Sequence, residues 1–267
     1  MKQKHMILIG VAVLLLALVG GGVWMWKMKT TKAPVATVTK TAKKRIVEEV
    51  NIIPVPERPV VFITPLTDGR NIEITVTGIK KPATSVEYEI EYFTENLVQG
   101  AQGEFPATTL PAVKKLLLGS CSAGGACSYH TNVTGGTLKT RFVGPENYAL
   151  KQSWRFIENK TKSDTFSSED GKFQLKSPAL AKLGLAVISN SPGYPEGLSG
   201  SAISEVYVFK PATPVSDAVE VTLRANEEGA TKLMGWNGTA WADQKAKING
   251  KILTATGPVM QLYVATK

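Results

Sequence analysis

Hydrophobic positions along the chain follow three regimes. From Met6 to Trp26 they are continuous: 21 residues with no charge. At about 1.5 Å of rise per residue such a helix spans roughly 30 Å, the hydrocarbon thickness of a bilayer. From Thr30 to Pro59 there is little hydrophobic periodicity. From Pro59 onward apolar residues recur at every second position in short runs separated by Gly, Pro and Asn. Ile72, Ile74 and Val76 alternate with Glu73 and Thr75; Val86, Tyr88, Ile90 and Tyr92 alternate with Glu87, Glu89 and Glu91. Period-2 alternation with one polar face predicts antiparallel strands with one side to solvent. The fold class expected is mainly β: an N-terminal transmembrane helix, then two tandem antiparallel β-sandwich domains.

The first run has the flanks of an anchor. Lys2 and Lys4 precede it, Lys27 and Lys29 close it, and Trp24 and Trp26 fall where indoles prefer the headgroup region. A signal peptide cleaved near Gly20 to Gly22 is the alternative, and a buried core helix is the bland one. No cysteine follows the run, which argues against a lipoprotein anchor. The expected layout is an anchor over 1–29, a semi-flexible stalk over 30–57, and β domains over 58–162 and 163–267. Pro34, Pro54, Pro56 and Pro59 keep the stalk extended. Its ends would lie about 30 Å apart as a coil and up to about 90 Å apart as polyproline II. Its basic stretch, Lys40 to Arg45, suits anionic lipid or an anionic wall polymer.

In the first β domain, strands are expected at 60–64, 71–77, 86–93, 114–119, 128–133, 137–143 and 148–157. The phrase Ser85-Val-Glu-Tyr-Glu-Ile-Glu-Tyr-Phe93 resembles the central strand of a fibronectin type III or immunoglobulin-like domain, an analogy that implies fold and not activity. In the second domain, 164–171 reads as a polar loop. Strands are expected at 173–176, 185–189, 203–209, 218–224, 231–236, 240–246, 251–255 and 259–265. Trp236-Asn-Gly-Thr-Ala-Trp241 is the strongest local signal. Asn-Gly suits the centre of a tight hairpin, which would bring the two tryptophans together across the strands. With Glu205-Val-Tyr-Val-Phe-Lys-Pro211, Val219-Glu-Val-Thr-Leu-Arg224 and Gln261-Leu-Tyr-Val264, this order resembles ZU5-like β-sandwich modules. Some of those modules cleave themselves at a His-Phe-Ser before the last strand. Here the stretch is Gly257-Pro-Val-Met-Gln261, without His or Ser, so self-cleavage is not expected. The whole layout is similar to membrane-anchored β proteins of bacterial surfaces.

Charge sharpens this picture. The chain carries 31 Lys and Arg against 22 Asp and Glu. Nine of the bases and none of the acids lie in residues 1–45, so 31 less 9 leaves 22 bases against 22 acids in the rest. Net positive charge belongs to the anchor and its flank, which argues against nucleic acid as a partner. The lysine count alone would place the C-terminal part inside the cell. Cys121 and Cys127, the only cysteines, argue the other way. The Ser-Ala-Gly-Gly-Ala between them can fold the sulfurs together, and structural disulfides persist outside the reducing cytosol. Two free thiols, a metal site using His130 in C-x5-C-x2-H, or a redox pair are the alternatives; zinc needs a fourth ligand, and a redox motif is normally C-x-x-C.

Chemistry is sparse. There are two histidines, and no nucleophile-elbow, H-E-x-x-H, Walker, Rossmann or EF-hand pattern. Gly135-Gly136 and the glycines between Gly119 and Gly125 read as turn glycines. No catalytic residue, cofactor site or metal site is expected, and the protein is read as a non-enzyme. Of the aromatics, Trp154, Trp236 and Trp241 read as core, and Tyr194, in a loop with two prolines, is the candidate binding contact. The function expected is a single-pass, extracytoplasmic membrane protein displaying β-sandwich modules for binding, adhesion or envelope assembly. Its partners are the membrane, through Met6 to Trp26, and a protein or cell-envelope polymer. An enzyme or processing factor with a dispersed site, and an inward-facing membrane adaptor, are the alternatives.

Overall fold

The alternation of Ile72, Ile74 and Val76 with Glu73 and Thr75 does produce a strand with one fully buried face. A computed structural model of the chain describes residues 48–95 and 97–267. Met6 to Trp26 and most of the expected stalk lie outside the described residues. Among the described residues no helix is long and apolar enough to cross a membrane.

In chain order the strands of the first half are β1 (Val60–Pro65), β2 (Asn71–Thr77), β3 (Ser85–Phe93), β4 (Val98–Pro106) and β5 (Ala112–Leu117). They continue as β6 (Gly119–Cys121), β7 (Cys127–Tyr129), β8 (Gly135–Val143) and β9 (Tyr148–Glu158). The second half holds β10 (Thr165–Ser167), β11 (Phe173–Lys176), β12 (Leu185–Ser191), β13 (Val206–Pro211) and β14 (Val219–Arg224). It closes with β15 (Lys232–Trp236), β16 (Trp241–Asp243), β17 (Lys247–Asn249), β18 (Ile252–Gly257) and β19 (Leu262–Thr266). The protein is mainly β, in several antiparallel sheets.

One nine-stranded sheet runs β16-β15-β19-β13-β12-β9-β8-β3-β4 and so takes strands from both halves of the chain. The join is β9 with β12, where Phe156 faces Val187 and Trp154 faces Ser189. A three-stranded sheet, β1-β2-β5, and a five-stranded sheet, β10-β11-β14-β18-β17, complete the layers; β6 and β7 form a separate ribbon. Side-chain alternation shows which face each layer covers. On β12, Val187 belongs to the core shared with β1 and β2, whereas Ala186 and Ile188 belong to the core shared with β11, β14 and β18. The two smaller sheets therefore cover opposite faces of the large one. In the second core Tyr207 stacks on Phe173, with ring centroids 5.0 Å apart, and its hydroxyl donates to Asp170 at 2.7 Å.

β1 is buried on both sides, which is why its sequence, Val-Val-Phe-Ile, does not alternate. Val61 and Ile63 enter the first core, while Val60 and Phe62 enter a third cluster with Val206, Val208, Met234, Leu262 and Val264. At roughly 1.5–3 kcal/mol for each fully buried Val or Phe, this strand ties the two halves together strongly.

Several expectations are corrected. β4 lies where no strand was expected: Val98-Gln-Gly-Ala-Gln-Gly has weak intrinsic strand preference and is recruited by nine consecutive pairs with β3. β10 occupies the start of the expected loop 164–171. Gly135 and Gly136 are not turn glycines but begin β8, between β3 and β9. A Cβ on Gly136 would overlap the Glu91 carbonyl, so only glycine allows the strands to close there. The end of the expected stalk is seated on the fold: Val50 bridges Ala149, the Arg58 guanidinium donates to the Asn51 and Ile53 carbonyls, and Ile53 enters the first core.

Candidate functional site

The third cluster does not fill completely, and the space above it is a groove of about 490 Å³. Three aromatic rings wall it: Phe62 from β1, Tyr194 from the loop after β12, and Trp236 from the end of β15. Thr77, Lys80, Glu196 and Gln261 supply the polar groups of its lining. Each element arrives for a local reason. β1 presents Phe62 because its neighbours Val61 and Ile63 are claimed by the other core. The Tyr194 loop is pinned at its root, where the Ser191 hydroxyl accepts from the Val61 N–H at 3.2 Å and donates to the Gly193 carbonyl at 2.7 Å. Gly193 itself lies against the Arg58 carbonyl, with no room for a Cβ.

The tryptophan hairpin fixes the other wall. Trp236 and Trp241 are directly paired, with ring centroids 5.5 Å apart. Their turn is centred one residue later than Asn237-Gly238. The Asn237 side-chain oxygen accepts from the N–H of Thr239 and of Ala240, both at 2.9 Å, and so occupies the place of a backbone acceptor. Trp241 in turn holds the Tyr194 loop. Its indole N–H lies 3.2 Å from both the Pro195 and Glu196 carbonyls, and its ring meets Tyr194 edge to face at 6.4 Å. Tyr194 is therefore half-buried and fixed, and its burial pushes the phenol pKa up.

Beneath the groove lies Lys210, on β13. Its ammonium sits 4.1 Å from the Phe62 ring centroid and donates to the Gln261 side-chain oxygen at 2.8 Å. Both contacts favour the charged form. Burial works against them and prevails, lowering the Lys210 pKa to about 8. Gln261 is thereby oriented: its oxygen is taken by Lys210, and its amide nitrogen approaches Gly238 at the hairpin.

The structure places the expected site residues as follows. Tyr194 joins the groove. Trp236 and Trp241, expected as core, are half-buried groove and support residues, whereas Trp154 is fully buried in the first core. Cys121 and Cys127 form a disulfide across β6 and β7. Both sulfurs are thus used, and His130 Nδ1 instead lies 2.9 Å from the Tyr92 hydroxyl. Among the described residues no group of three or more His, Cys, Asp or Glu is arranged to hold a metal ion. Sequence reasoning missed Phe62, Gln261 and Lys210. Only Lys210 carried a signal, a cation directly after the apolar run Val206-Tyr-Val-Phe209. Comparison of the chain with family profiles, with curated proteins and with solved structures finds no match.

Proposed function

We propose that this chain is a single-pass, membrane-anchored protein that displays two tandem β-sandwich modules outside the cytoplasm and binds a cell-envelope polymer. The first module is read as immunoglobulin- or fibronectin III-like and the second as ZU5-like. The observation that carries the reading is the groove walled by Phe62, Tyr194 and Trp236. Flat aromatic rings bordered by an amide, a hydroxyl and a carboxylate suit a polymer of sugar rings, which offers apolar ring faces and polar edges. The exposed disulfide supports an oxidising compartment, and the run from Met6 to Trp26 supports the anchor. Binding and display, rather than catalysis, are the roles this assigns.

Two measurements test it. Protease added to spheroplasts should remove the C-terminal part, and protection there with digestion after lysis would refute the orientation. The full chain in detergent should co-sediment with purified wall polysaccharide. Trp236→Ala should weaken that binding about tenfold, the scale of one lost stacking contact. Equal binding by the variant would remove the groove from the proposal.

A further inference from the structure

We infer that the free edge of β4 captures an extended, basic segment of a partner polypeptide as an added antiparallel strand. This uses neither the groove nor the anchor. The phase of the β3–β4 ladder is set at both ends, by Thr94 N–H to the Leu97 carbonyl at 2.9 Å and Ala107 N–H to the Thr84 carbonyl at 2.9 Å. Antiparallel ladders alternate. Gln99, Ala101, Gly103 and Phe105 therefore bond inward to β3, and Val98, Gly100, Gln102 and Glu104 turn their N–H and C=O groups outward. None of these outward groups takes part in a backbone hydrogen bond to a described residue outside the ladder.

The other sheet edges are guarded in ways that β4 is not. β10, β16 and β17 are three residues long. β5 follows Pro111 and carries Lys114 and Lys115, and β1 is buried on both sides. β4 runs for nine residues with no Lys or Arg and stays in unbroken register with β3. A long, regular edge without a cation is a template for another strand.

The side chains beside the edge select its occupant. Val98, Gly100, Gln102 and Glu104 share the outer face with Phe93, Glu91, Glu89 and Glu87, which stand opposite them in that order. Glu87 is paired with Arg141, while Glu89, Glu91 and Glu104 have no ion pair among the described residues. Gly100 has no side chain, so a long cation on an added strand reaches across it to Glu91. Phe93 and Val98, 48% and 61% exposed, form an apolar end. An antiparallel partner therefore reads, from its N-terminus, basic-x-basic-x-basic-x-apolar. A second copy of β4 is disfavoured. A twofold axis normal to the sheet would keep both outer faces on one side and set the glutamates of one copy beside those of the other.

The test uses the full chain in detergent and a fluorescent, doubly capped heptapeptide, Lys-Thr-Lys-Thr-Lys-Thr-Val, followed by anisotropy. Saturable, salt-sensitive binding is expected. N-methylation of the second and third lysines, which removes two of the N–H groups aimed at the edge, should weaken it about tenfold. Gln102→Pro, which deletes one outward N–H and no bond to β3, should weaken it about fivefold. Glu89→Gln with Glu91→Gln should flatten the salt dependence. The N-methylated peptide needs no altered protein, so misfolding of a variant leaves the test intact. Equal binding of the N-methylated peptide would show charge attraction alone and overturn the strand; absence of saturable binding would overturn the site. Self-association abolished by Gln102→Pro, without peptide binding, would assign the edge to a second copy and overturn the basic partner.

Discussion

Lys210 sits where two opposed preferences meet. A ring face and an amide oxygen favour its charge, and burial disfavours it and prevails. The consequence for stability has a definite sign. Between the folded value of about 8 and the ordinary lysine value of about 10.4, the unfolded chain binds more protons than the folded one. Stability therefore climbs as pH rises through that window, and the full cost of burying the cation is carried below it. Lys210→Met should abolish the climb: urea midpoints of wild type and variant, compared at pH 7 and pH 10, should shift in the wild type's favour at the higher pH. An unchanged difference would place the proton elsewhere. Single residues also show what the sequence hides. Gly135-Gly136 has the look of a turn, yet its glycines serve close approach of backbones within β8, a requirement visible only once β3 and β9 are known to flank them.

Elements were legible where a polar face met water. β2 and β3 were readable to within a residue or two because glutamates and threonines alternate with buried aliphatic and tyrosine side chains. β4 was not, since its own residues do not prefer a strand and its conformation is imposed by β3. Of the groove only Tyr194 was legible: Trp236 and Trp241 read as core, because sequence alone does not show that the hairpin ends at a groove, and Phe62 is disguised by a run of apolar neighbours. The tryptophan hairpin shows how far local chemistry reaches. Asn-Gly does mark the turn, but Asn237 acts through its side chain, accepting from two backbone N–H groups and the Thr239 hydroxyl. Asn237→Ala should cost about 1 kcal/mol in thermal unfolding and loosen the Trp236–Trp241 pair. A near-ultraviolet circular dichroism band from the coupled indoles should weaken; an unaltered band and melting temperature would show the turn to be held by its strands alone.

At the scale of the molecule, strand spacing suggested two consecutive β units but was silent on how their strands associate. Pairing of β9 with β12 and the double burial of β1 depend on contacts far apart in sequence, for which periodicity carries no information. Each half has its own core, but the third cluster is shared. Residues 163–267 expressed alone should expose Val206, Val208, Met234, Leu262 and Val264 and bind a hydrophobic dye, whereas 48–267 should not. Dye binding equal in the two would show that β1 is dispensable as a cover. The position of β19 extends this reasoning from space to time. It lies between β15 and β13, so the β15–β16 hairpin has no bond to the rest of the sheet until β19 arrives. Every other strand of that sheet precedes it in synthesis, so a growing chain holds an open seam, with β13 unpaired on one side, until β19 has emerged. Synthesis therefore leaves this sheet unfinished until its last residues emerge, and β19 acts as the closing latch.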